Sequence, residues 1–117
     1  EVRYELFNTD DAEYLMVADG SSARIAQKSI ALARAKGIKV GLLRPITLFP
    51  FPEKPLADLT PQLKGILSVE LSAGQMIEDV KLAVQCNVRV DHYGRFGGMI
   101  HSPEEVLTAF EQTFIGK

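Results

Sequence analysis

Three apolar runs, Tyr14 to Ala18, Val40 to Leu43 and Ile66 to Val69, do not alternate with polar residues, and this constrains the fold more than any other feature. A strand with one wet face alternates with period two. A run of strand length that is near-continuously apolar needs cover on both faces, as in a parallel sheet held between helices. A fourth run, Val88 to Tyr93, does alternate: Val88, Val90 and His92 fall between Arg89, Asp91 and Tyr93. That pattern belongs nearer a sheet edge. A short extended stretch, Arg3 to Phe7, can add an edge strand.

Between the runs the periodicity becomes helical. Ala26, Ile30 and Ala33 recur at i, i+4 and i+7, with Arg24, Gln27, Lys28 and Arg34 off the stripe. Lys36-Gly37 ends that segment with a cation and a left-handed cap. Met76, Val80 and Ala83 repeat the spacing, while Glu78, Asp79 and Lys81 face water. Ser102-Pro103-Glu104-Glu105 opens a third helix. Ser102 can accept from the Glu105 amide, Glu105 can reach back, and Pro103 needs no donor at the first helical position. Val106, Leu107, Phe110 and Phe114 supply its buried face. Five of the six prolines lie between Pro45 and Pro61, which excludes long regular structure there and predicts a packed loop with a short helix around Leu56 to Leu59.

Strands alternating with helices predict right-handed crossovers onto a mostly parallel sheet, an α/β fold with helices on both faces. With the four main strands numbered in chain order, a doubly wound arrangement sets them second, first, third, fourth. The winding reverses between the first and third. A crevice then opens where Asp19-Gly20-Ser21-Ser22 and Glu70-Leu71-Ser72-Ala73-Gly74-Gln75 leave their strands. The 117 residues suit a single domain, 1–117, and the start at Glu1 rather than a methionine reads as excision from a longer chain.

Composition removes several function classes. Thirteen Lys+Arg against fifteen Asp+Glu give a formal charge of −2 with no basic stripe, so nucleic acid is not an expected partner. No apolar run approaches the roughly 20 residues that span a bilayer, so no membrane is expected either. The lone Cys86 excludes an internal disulfide and an iron–sulfur cluster held by this chain's own thiolates, and a reducing cytoplasm fits it. Cys86, His92 and His101 match no common metal-site spacing, and no serine sits in a Gly-x-Ser-x-Gly elbow. No phosphate loop of the Gly-x-Gly-x-x-Gly or Gly-x-x-x-x-Gly-Lys-Ser/Thr kind is present. Gly20-Ser21-Ser22 can serve as a helix cap or as an anion seat. Arg44, Glu70, Tyr93 and Arg95 fall at or beyond strand ends and should gather along one edge, as salt-bridged loops at a subunit contact or as a carboxylate or phosphate site.

A set of motifs, taken in order, resembles a known family. Gly20-Ser21-Ser22 precedes an Ala-rich helix, and Gly37-Ile38-Lys39-Val40-Gly41-Leu42-Leu43-Arg44-Pro45-Ile46-Thr47-Leu48-Phe49-Pro50-Phe51-Pro52 follows. Val69-Glu70 with Gly74-Gln75-Met76 and Glu78-Asp79-Val80, then Tyr93-Gly94-Arg95 with Gly97-Gly98, complete the set. Together they resemble the C-terminal domain of the α subunit of 2-oxoacid:ferredoxin oxidoreductases, over about Glu13 to Phe110.

The resemblance implies a transketolase C-terminal-like domain: a three-layer α/β/α sandwich on a five-stranded, mostly parallel sheet with one antiparallel edge strand. It also implies an enzyme that uses thiamine pyrophosphate with magnesium to decarboxylate a 2-oxoacid, forming an acyl-CoA while iron–sulfur clusters pass electrons to ferredoxin. The diphosphate–magnesium signature of such enzymes is absent here, so this stretch is expected to be non-catalytic and to bind none of these cofactors itself. Its expected partners are the preceding domain of the same α subunit, the β subunit and, through the whole enzyme, ferredoxin. Ser21, Ser22, Arg44, Glu70, Gln75 and Arg95 are the candidate interface or anion-binding residues. The competing expectation is a stand-alone module that captures a nucleotide or CoA phosphate beside Gly20 and Gly74.

Overall fold

The central strands form because their side chains are claimed from both sides. In the computed structural model, which describes residues 4–18, 20–46, 53–70, 80–81, 84, 88–94 and 102–115, β1 spans Tyr4–Phe7, β2 Tyr14–Ala18, β3 Val40–Pro45, β4 Gly65–Glu70 and β5 Arg89–Gly94. They make one sheet in the order β1-β3-β2-β4-β5. Four strands run parallel, and β1 pairs β3 antiparallel, with Tyr4 opposite Pro45 and Phe7 opposite Leu42. The winding reverses between β2 and β4 as expected, and the alternating β5 lies at the sheet's end.

Each central strand divides its side chains between two cores. Met16, Ala18, Val40, Leu42, Leu67 and Val69 face one helical layer, built by α1 (Gly20–Ala35) and α3 (Pro103–Phe110). Leu15, Val17, Leu43 and Ile66 face the other, against Leu56 of α2 (Glu53–Leu59), Leu63, Val80 and Val84. Leu15, Met16, Leu42, Leu43 and Ile66 are fully buried, and each such side chain contributes about 1.5–3 kcal/mol of transfer free energy. This is the three-layer α/β/α sandwich, with the antiparallel strand at the edge.

The helix ends follow local chemistry. Ala23, Ala26, Ile30 and Ala33 form the buried stripe of α1. Beyond it, Gly37 takes φ 86°, its amide donates to the Arg34 carbonyl, and the Ile38 amide donates to that of Ala33. Those two bonds close a Schellman cap, and Ile38 packs on the core it seals. At α3, Ser102 Oγ accepts from the Glu105 amide at 3.1 Å and the Glu105 carboxylate accepts from the Ser102 amide at 3.1 Å, completing the capping box. Val106, Leu107 and Phe110 are buried as the spacing predicts.

Phe114 differs. The chain passes into a π turn over Glu111–Ile115, and Phe114 is only half-buried, its ring lying on Gly65 at the start of β4. The ring centroid is 5.3 Å from that of Phe110 and 5.7 Å from that of Tyr14, and the Arg89 guanidinium sits 5.5 Å above it. In the proline-rich region the short helix is longer than predicted, Glu53–Leu59, and a 3-10 turn, Thr60–Gln62, continues it. Of the helix predicted around Met76 to Ala83, Val80 and Lys81 are helical, as is Val84 just beyond; the rest of it and residues 47–52 lie outside the described residues.

Candidate functional site

The sheet register brings the strand ends to one rim. Ala18 pairs with Val69, Val17 with Leu43, and Glu70 with Gly94, so β2, β3, β4 and β5 all finish along the same edge. The chain leaves β2 at Ala18 and enters α1 at Gly20, beside the end of β4 at Glu70. The ends of β2 and β4 are therefore neighbours at the reversal of winding, where open α/β sheets place ligands and partners.

Ser22 lies in the first turns of α1 and is 2% exposed. It packs inward and offers no surface to a ligand or partner, a placement that residue type alone does not reveal. Ser21 is in the same turn, with its side chain outside the described residues, and Glu70 closes β4 with its side chain likewise outside them. Gln75 and Arg95 fall wholly outside the described residues, as do Cys86 and His101.

Arg44, near the end of β3, is directed to the sheet's outer edge. Its Nη1 donates to Glu5 Oε1 of β1 at 3.2 Å, across the register pair Glu5–Arg44. The two side chains are 38% and 48% exposed, so the pair is worth at most about 1 kcal/mol. Arg44 Nε is buried with no hydrogen-bond partner among the described residues. Strand β2 separates Arg44 from Glu70, a span of about 10 Å at two strand spacings. The Arg–Glu pairing described by the structure is thus Arg44 with Glu5, a partner 39 positions away that no local pattern marks.

A groove of about 350 Å³ lies beside this rim rather than at the reversal, lined by Tyr93 of β5 and Glu104, Glu105, Thr108, Ala109 and Gln112 along α3. Among the described residues, no three His, Cys, Asp or Glu side chains converge as a metal ion requires. The described donor set therefore does not fit a magnesium or cluster site. No helix among the described residues is long and apolar enough to cross a membrane.

Sequence reasoning missed the cluster at the opposite rim. Arg34, read only as off the α1 stripe, donates from Nε to the Val40 carbonyl at 2.9 Å and from Nη2 to the Asn8 carbonyl at 2.7 Å. It also chelates the Asp11 carboxylate, at 2.8 and 3.4 Å. The Arg34 hydrogen bond holds the Asp11 carboxyl below the usual carboxylate range, against a smaller opposing effect of desolvation. Gln62 adds two bonds of 2.9 Å to the Thr9 and Ala12 carbonyls. The bonds to Asn8, Thr9, Asp11 and Ala12 fix the β1–β2 connection, and their partners lie 23 to 53 positions apart in sequence.

The fold and its rim define a transketolase C-terminal-like α/β/α domain. The chain belongs to the pyruvate:ferredoxin oxidoreductase core domain II family, whose model matches residues 12–106. It is 49% identical to the ketoisovalerate oxidoreductase subunit VorB of Methanothermobacter thermautotrophicus over 107 residues, 92% of this chain and 30% of that relative. It is 35% identical to the 2-oxoglutarate synthase subunit KorA of Archaeoglobus fulgidus over 97 residues, 83% of this chain and 27% of that relative. A solved 2-oxoglutarate:ferredoxin oxidoreductase from Magnetococcus marinus shares the fold at TM-score 0.83 and 18% identity, over 96% of this chain and 20% of that one. This chain thus spans under a third of the length of these relatives.

Proposed function

We propose that this chain is a non-catalytic assembly domain of a 2-oxoacid:ferredoxin oxidoreductase that oxidatively decarboxylates a branched-chain 2-oxoacid to its acyl-CoA. The observation that carries the reading is the 49% identity over 92% of the chain to a ketoisovalerate oxidoreductase subunit, against 35% for a 2-oxoglutarate synthase subunit. Thiamine pyrophosphate, magnesium, iron–sulfur clusters and CoA belong, on this reading, to other domains and subunits of the assembly, and ferredoxin is its electron acceptor. A cytoplasmic location accompanies the proposal.

The strand-end rim is the proposed docking edge toward the preceding domain and the β subunit. Ser21, Arg44, Glu70, Gln75 and Arg95 are its contact residues, while Ser22 supports the rim from beneath. Arg44 suits this role because its exposed pairing with Glu5 contributes little to folding and can be redirected to a partner carboxylate at small cost. No comparison supports the stand-alone nucleotide or CoA-phosphate module.

The test is the full subunit, produced with its partner subunits and assayed anaerobically for CoA-dependent ferredoxin reduction. Turnover should be most efficient with a branched-chain 2-oxoacid, ahead of pyruvate and 2-oxoglutarate. Preference for 2-oxoglutarate would overturn the substrate assignment, and no CoA-dependent reduction with any 2-oxoacid would overturn the activity. Arg44→Ala combined with Arg95→Ala should weaken subunit assembly in size-exclusion chromatography while leaving the melting temperature of this domain unchanged. Undiminished assembly would remove the docking edge.

A further inference from the structure

We draw no further inference here: the strongest candidate, the exposed pair Tyr4 and Leu6 on the outer strand β1 with Ile46 nearby, is an apolar sheet edge for which nothing in the structure shows what covers it.

Discussion

Replacing Gly65 with alanine tests whether the Phe114 ring rests on the start of β4. At an unhindered strand position, Gly→Ala stabilises by about 0.5–1 kcal/mol, because it narrows the unfolded ensemble. At Gly65 the new methyl carbon would lie 2.5 Å from Phe114 Cδ1 and closer still to Cε1. Carbon atoms approach to about 3.5–4.0 Å, so the ring must retreat by about 1 Å or more. The strand cannot retreat in its place, because Gly65 is held between Tyr14 of β2 and Arg89 of β5. Retreat strips the ring from Tyr14, Phe110 and the Arg89 guanidinium.

Overpacking of this kind costs about 1–3 kcal/mol, which exceeds the gain from removing a glycine and leaves a net loss of about 0.5–2 kcal/mol. At roughly 4 °C per kcal/mol for a chain of this length, the melting temperature should fall by about 2–8 °C in a calorimetric scan. The decisive measurement is a double-mutant cycle with Phe114→Ala. In that background the three carbons nearest the new methyl group are gone, and Gly65→Ala should become neutral or stabilising, a coupling of about 1 kcal/mol or more. An equal penalty in both backgrounds would refute the ring as the obstacle.

Gly41→Ala places a carbon 2.8 Å from the Asn8 carbonyl oxygen and 3.0 Å from Thr9 Cγ2, in a connection tied down by Arg34 and Gln62. It should cost about 1–3 kcal/mol in denaturant unfolding, and Phe114→Ala should not relieve it. Ser29 is fully buried and its Oγ has no hydrogen-bond partner among the described residues. Ser29→Ala should therefore leave the melting temperature unchanged or raise it, and a loss above about 1 kcal/mol would show that the hydroxyl is bonded. The lowered Asp11 pKa contributes stability that is present above the unfolded carboxylate value, about 3.9, and is lost as pH falls through the folded value. The stability difference between the native chain and Asp11→Asn should accordingly be largest at neutral pH and vanish in acid; a difference that persists at pH 2 would contradict this.

Much of the architecture was legible because it depends on near neighbours. The Schellman cap at Gly37 and the capping box at Ser102 each close within five residues, so sequence and structure agree on them. The candidate rim was only partly legible. Its position follows from strand order, and strand order from which runs are apolar throughout. What each side chain does there does not follow: Ser22 turned inward and Arg44 found Glu5, both through packing across strands and layers.

By itself, the sequence determined that three strands are covered on both faces, that a doubly wound sheet results, and that the ends of β2 and β4 lie side by side, since burying continuous apolar runs leaves few other arrangements. Only the tertiary structure decided that Arg34 and Gln62 fasten the β1–β2 connection and that Phe114 lies on Gly65 beside Arg89. Such contacts join residues 23 to 53 positions apart, and their geometry depends on the register of strands that no local pattern encodes.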